Sequence, residues 1–296
     1  MRALASWRVR RYEGTLGETR GILAVERATF RECPYRAREL QARLRSPQQQ
    51  LLVAEAEGRI VGFVAGLHTS GLAGPRLEAD LLAVEPAWQG LGIATALLTS
   101  LRRRPGSAAM LRGVVRPDNV ASERAFARAG FRPSAATYDL FIYRIAGLVP
   151  RPLPAWGGEI GRLADPAEAA QLAALAPALL PAADRLWPAS QAPGLTLLVA
   201  RAGGAVAGAA ELVEVHTLLY SGLWLESLVA RPGQRRTLQA LVAAAVEEAK
   251  ARGMDEVGCL VPQEERSLRE VIMGEGFRLL DGYRIWTAPP LPEAAP

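Results

Sequence analysis

Apolar positions along this chain follow two alternating rhythms. Runs with strand character fall at 7–12, 50–57, 59–67, 77–84, 108–115 and 137–145. Between them, at about 17–30, 35–45, 93–103 and 119–129, apolar residues recur at helical spacing. Glu57-Gly58 between two apolar runs predicts a hairpin. Ile93, Ala96, Leu97, Ser100 and Leu101 predict one buried helix face. Ala121, Ala125 and Ala129 predict another, ended by Gly130. Strands and helices in this order predict an α/β sheet with helices on both faces.

The pattern then repeats. Leu52-Val53-Ala54, Gly58, Gly62, Pro86 and Gly130-Phe131 reappear 146 residues later as Leu198-Val199-Ala200, Gly204, Gly208, Pro232 and Gly276-Phe277. One constant spacing across separated landmarks predicts two copies of one domain. The expected boundaries are a first copy at 1–146, a Pro/Gly-rich linker at 147–158, a second copy at 159–288 and a Pro-rich, frayed tail at 289–296. In the second copy Leu238, Leu241, Val242, Ala245, Val246 and Ala249 form the stripe of the helix that matches 93–103.

Composition narrows the classes. With 296 residues and 50% hydrophobic content the chain can bury two domain-sized cores. Cys33 and Cys259, and His68 and His216, are too few and too scattered for a disulfide framework or a metal centre, so no metal and a reducing cytoplasm are expected. No signal peptide is visible, and no uncharged run approaches the roughly 20 residues of a membrane helix. The net charge of +5, carried almost wholly by arginine, favours a polyanionic small ligand. Nucleic acid ranks far below, because aromatic and basic residues do not interleave.

The chemistry concentrates at 84–94. Gln89-Gly90-Leu91-Gly92-Ile93-Ala94 follows a strand and opens a helix, with little bulk at 90, 92 and 94. Such a turn leaves backbone N–H groups unpaired at a helix mouth, where the dipole favours a diphosphate. Some thirty residues on stands Asn119-x-x-Ser122-x-x-x-Phe126-x-x-x-Gly130-Phe131; Asn119 is the chain's one asparagine and also reads as a plain helix N-cap.

These two motifs resemble those of the GCN5-related N-acetyltransferases, the GNAT superfamily. The resemblance covers 77–131 strongly and the second half weakly. It implies two tandem GNAT-like domains, each a mixed central β-sheet flanked by helices. It further implies that acetyl-CoA serves as co-substrate between the strands at 77–84 and 108–115. Leu82, Ala83 and Val84 would border the pantetheine, Gln89, Gly90, Leu91, Gly92, Ile93, Ala94 and Thr95 would hold the diphosphate, and Asn119, Ser122 and Phe126 would cover the arm. The implied reaction is acetyl transfer to a primary amine of a small molecule or peptide. Glu78 stands where related enzymes carry a base, and Asp80 is second; 78, 80 and 82 would share one strand face. Against these roles stand a solvated strand edge or partners for arginines. Residue 126, where the superfamily often has a tyrosine acid, is phenylalanine, leaving Tyr138 and Tyr143 as substitutes. Arg102-Arg103-Arg104 is a candidate for the 3′-phosphate or a simple complement to a helix C-terminus. In the second copy Arg235, Leu238 and Ala240 replace Gln89, Gly92 and Ala94, and Glu265 replaces Asn119, so it reads as degenerate. A non-catalytic acyl-CoA sensor or assembly protein is the alternative. Acceptor choice would rest with the 17–46 helices and a loop at 68–76.

Overall fold

A computed structural model describes residues 6–146 and 156–292. The first half runs β1 (Trp7–Arg11), α1 (Leu16–Thr29), α2 (Ala37–Leu44), β2 (Gln49–Ala56), β3 (Arg59–Gly71), β4 (Gly74–Val84), α3 (Ile93–Arg102), β5 (Met110–Val115), α4 (Val120–Arg128), β6 (Arg132–Pro133) and β7 (Tyr138–Arg144). The second half repeats the order as β8 (Glu159–Arg162), α5 (Pro166–Leu175), α6 (Ala183–Ser190), β9 (Leu195–Ala202), β10 (Ala205–His216), β11 (Ser221–Ala230), α7 (Arg235–Ala251), β12 (Glu256–Pro262), α8 (Arg266–Gly274) and β13 (Arg278–Ala288). Most of the linker, 147–155, and the last part of the tail, 293–296, lie outside the described residues. Pro289 and Leu291 are tied down: the Arg102 guanidinium donates to the Pro289 carbonyl, and the Leu291 N–H donates to the Arg102 carbonyl.

Local chemistry explains the starts and stops. Thr15 and Glu18 form a capping box that opens α1. Asp165 accepts the Glu168 N–H ahead of Pro166 at the first position of α5. The buried face of α3 is Ile93, Leu97, Leu98 and Leu101, with Arg102. Ala96 and Ser100, expected on that face, are only partly covered. The stretch at 68–76, expected as a loop, is mostly strand: β3 and β4 continue to Gly71 and from Gly74 as one long hairpin. Its Gly, Ser and Pro content reads as loop, but Pro75 sits near the start of β4, where proline is tolerated.

One sheet joins everything, in the order β1-β2-β3-β4-β5-β13-β7-β12-β11-β10-β9-β8, with β6 paired to β13. The closing strand at 137–145, expected to complete the first copy, lies instead against β12 of the second, with Phe141 opposite Cys259. Reciprocally, β13 lies against β5 of the first, with Ile285 opposite Val114. The two copies have exchanged their last strands. The packing agrees: Trp286 and Ala288 are part of the first copy's core beside Phe126 and Phe131, while Phe141 and Tyr143 are part of the second's. The exchange is hidden from periodicity, because β7 buries the same residues against either partner.

The hairpin tips are exchanged too. Leu72, between β3 and β4, is buried among Leu172, Leu186 and Val213 of the second copy. Leu218, 146 positions later, is buried among Ile22, Leu40 and Ala83 of the first. Arg43 secures that second tip by donating to the Thr217 and Tyr220 carbonyls and the Ser221 hydroxyl. Each buried leucine is worth about 1.5–3 kcal/mol of apolar transfer.

Candidate active site

β4 and β5 run parallel only from Arg76↔Met110 to Ala79↔Gly113. Beyond that pair β5 continues against β13, while β4 keeps only β3. A wedge opens between them. Its cause is a β-bulge: Gly66 faces Ala79 and Ala65 faces Leu81, so Asp80 is an extra, unpaired residue. Glycine is required at 66, because a Cβ there would meet Leu101, Leu77 and the Gln50 carbonyl at 2.9–3.0 Å. The bulge also resets the side-chain alternation. Leu82 packs in the same cluster as Leu77 and Ala79, while Leu81 and Ala83 pack against α1 and α2. The expectation that 82 shares a face with 78 is therefore corrected.

At the wedge's outer end, β4 turns through a short 3₁₀ segment (Pro86–Trp88) into the loop ahead of α3. Gly90 and Gly92 are left-handed, at φ 79° and 81°, which explains why glycine stands at both. The Gln89 side chain donates to the Val84 carbonyl at 3.0 Å and closes the loop on its own strand. Among the described residues, no backbone acceptor meets the N–H groups of Gly90, Leu91, Gly92, Ile93, Ala94 or Thr95. The open helix mouth expected from the sequence is thus present. The second copy has none in this register: α7 begins at Arg235, the position matching Gln89, so Leu238 already lies inside the helix.

Asn119 accepts the Ser122 N–H at 3.1 Å, so its N-cap reading is correct. Exposed apolar side chains, Leu91, Val114 and Val120, stand on the elements flanking the wedge. Phe126 does not face open space. It is 4% exposed, edge-on to Phe131 with centroids 4.9 Å apart, and its Cζ lies 2.6 Å from where a Cβ on Gly113 would stand. Of the arginine triplet, Arg102 is buried and donates to the Ala129 and Pro289 carbonyls, so it is not free for a phosphate.

At the inner end of the wedge lies a cavity of about 170 Å³ shared by the two copies. Asp80, Gly113 and Val114 line it from the first copy; Tyr220, Trp224 and Glu226 line it from the second. Glu78 lines it as well but is held by charge partners. Both its oxygens accept from the Arg112 Nε, at 2.9 and 3.1 Å, and the Arg76 Nε lies 3.3 Å away. The rest of the Arg112 guanidinium takes Glu226 in a fork, at 2.6 and 3.1 Å. Burial alone would raise the Glu226 carboxyl, but Arg112 and Arg76 more than offset it and hold it below the usual range.

Asp80 has no such partner. Its side chain is exposed to the cavity, yet walls of both copies surround it. Desolvation, with the Glu78 charge adding and the Leu218 N–H opposing, pushes its carboxyl up to about 7. Two phenols face the same space, Tyr220 and Tyr283; both are raised, chiefly by burial, and so keep their protons. The substitutes expected from the sequence, Tyr138 and Tyr143, are not among the cavity-lining residues. Sequence reasoning also passed over Arg76, Arg112, Trp224 and Glu226. One signal was available: Glu226 stands 146 residues after Asp80, and like it is the extra residue of a bulge, between Leu225↔Leu212 and Ser227↔Glu211.

The fold and the wedge define a two-copy α/β protein, and this architecture has counterparts among known proteins. Residues 10–131 match the family model described as Acetyltransferase (GNAT) family. That match lies within the first copy, and over nearly its whole length the chain shares its fold with a tandem GNAT structure. No curated protein matches it. Among solved structures it is similar to a GCN5-related N-acetyltransferase from Sphaerobacter thermophilus, at 17% identity and TM-score 0.61, covering 97% of each chain. It is also similar to a tandem GNAT protein from the clavulanic acid biosynthesis pathway, at 17% identity and TM-score 0.56, covering 97% of this chain and 99% of that one. A third is a glucosamine N-acetyltransferase region of a fungal multi-domain β-N-acetylglucosaminidase. There the identity is 22% and the TM-score 0.61, and the match covers 97% of this chain but 38% of the fungal one. Among the described residues, no helix is long and apolar enough to cross a membrane.

Proposed function

We propose that the protein transfers an acetyl group from acetyl-CoA to a primary amine, with the first copy holding the co-substrate. One observation carries this reading: the inner end of the β4–β5 wedge opens into the cavity beside Asp80, an unpaired carboxylate whose value sits near neutrality. The residues fit the co-substrate. The unpaired N–H groups from Gly90 to Thr95 would hold its diphosphate. The unpartnered edge of β4 along Leu82, Ala83 and Val84 would border its pantetheine. When bound, acetyl-CoA supplies the activated acetyl group.

The chain's own residues then divide the work. Asp80 accepts the proton that an ammonium must lose before its nitrogen can attack. Glu78, fixed by Arg112 and Arg76, raises Asp80 by its charge. Tyr283, on the strand beside Val114, donates a proton to the departing sulfur. Asn119 and Ser122 build the start of α4 over the wedge, and Phe126 packs behind it.

Titration calorimetry with CoA should give one site per chain. Gly92→Leu should abolish it: a Cβ at 92 meets nothing within 4 Å, so the loss would come from forcing a left-handed backbone out of shape. Leu238→Gly should leave binding unchanged. Two equivalent sites, or binding that survives Gly92→Leu, would remove the assignment. Free-thiol release with a panel of amines decides between an enzyme and a non-catalytic acyl-CoA sensor, since a sensor binds without releasing thiol.

A further inference from the structure

The glycine loop ahead of α3 belongs to the first copy, yet part of the cavity wall belongs to the second. The charged groups facing that space are Arg76, Glu78, Asp80 and Arg112 from the first copy and Glu226 from the second. Both guanidiniums are engaged. Arg112 is shared between Glu78 and Glu226, and the Arg76 Nη1 reaches Glu226 at 3.0 Å. Behind them the buried Glu211 accepts the Leu72 N–H and the Ser227 hydroxyl, each at 2.7 Å, and burial pushes its carboxyl up despite the nearby Arg76. Two guanidiniums thus face two paired carboxylates, and Asp80 is left over. The cavity favours one positive charge and has no free donor cation for a carboxylate. The rest of its wall combines aliphatic side chains such as Leu67, Leu140 and Val213 with the aromatic Tyr220, Trp224 and Tyr283. About 170 Å³ compares with the roughly 150 Å³ cavity that accommodates benzene.

We infer that the second copy builds the acceptor wall, and that Glu226 makes the site selective for a small ring-sized monoamine over an amine that also carries a carboxylate. This inference rests on reading the cavity as the acceptor site of the proposed transfer. Glu226 acts through the arginines. By occupying Arg112 and Arg76 it removes the positive charge that would otherwise capture a carboxylate. An amine cation over the aromatic faces, with Asp80 beside it, is what the cavity accommodates.

The test titrates the full chain calorimetrically with benzylamine and with phenylglycine, which share a ring and an amine and differ by one carboxylate. Wild type should bind benzylamine at least tenfold more tightly. Glu226→Gln leaves a guanidinium uncompensated and should reduce that preference at least tenfold, while Glu226→Asp should restore most of it. Equal or tighter phenylglycine binding in wild type would overturn the inference, as would no benzylamine binding or a preference unchanged in a folded Glu226→Gln chain. If Glu226→Gln fails to fold, the wild-type pair and Glu226→Asp still decide. A CoA titration run in parallel separates the two claims. Loss of CoA binding with amine selectivity intact overturns the donor assignment alone, and the converse overturns this one alone.

Discussion

Asp80→Asn isolates the proposed base with almost no change of shape. Removing a general base typically costs about 10²- to 10⁴-fold in turnover, or roughly 3–5 kcal/mol of barrier. The pH profile gives a second, independent magnitude. A base works in its deprotonated form, so kcat/KM should rise with pH and level off above the Asp80 value of about 7. One unit below that value about a tenth of the carboxyl is ionised, so activity near pH 6 should fall about tenfold from the plateau. Glu78→Gln should move the inflection toward acid, because it removes a charge that raises Asp80, while burial keeps the inflection above the ordinary carboxylate range. The assay is thiol release across the pH range, with CoA affinity followed by calorimetry. Asp80→Asn activity within about threefold of wild type, or a wild-type profile flat between about pH 6 and 8, would refute the reasoning.

Two further changes probe the frame around the site. Phe126→Tyr places a hydroxyl at the end of a ring packed against the Gly113 backbone. An unpartnered hydroxyl and local overpacking together should cost roughly 2–5 kcal/mol in urea unfolding; a loss under about 1 kcal/mol would mean the ring end opens onto the wedge. Trp286→Ala should cost about 3–5 kcal/mol, although residue 286 belongs by sequence to the second copy, because its side chain lies in the first copy's core. Trp286→Phe should cost less, since the indole N–H is buried with no partner; equal losses would contradict that placement.

Much of this architecture is legible in one dimension, and the exceptions share a cause. The helix mouth at Gly90 and Gly92, the Asn119 cap and the α/β order follow from local chemistry, namely left-handed glycine, a short side-chain acceptor and apolar period. That the second copy lacks this glycine loop was legible from Leu238 at the position matching Gly92. What local pattern cannot carry is partnership between distant segments. Strand β7 has the same alternation whether it pairs with β5 or with β12. Glu78 reads as the better base than Asp80 until Arg112, 34 residues away, is found to hold it. A bulge at Asp80 leaves no trace in composition yet reverses the face of everything after it. Phe126 occupies its motif position, but its surroundings come from Trp286, 160 residues on.

The strand exchange bears on how the molecule is made. During synthesis β5 has only β4 beside it until β13 has left the ribosome, so the first copy's core stays open on one side while the second copy is translated. Multidomain chains generally fold domain by domain from the N-terminus, whereas here Phe126 lacks Trp286 against its ring until β13 has been made. Protease sensitivity of ribosome-arrested chains should therefore drop for both copies together, after the final strand emerges, and a first copy resistant beforehand would contradict this. Duplication gave the protein two copies of one unit, and the exchange ties them into one folding event.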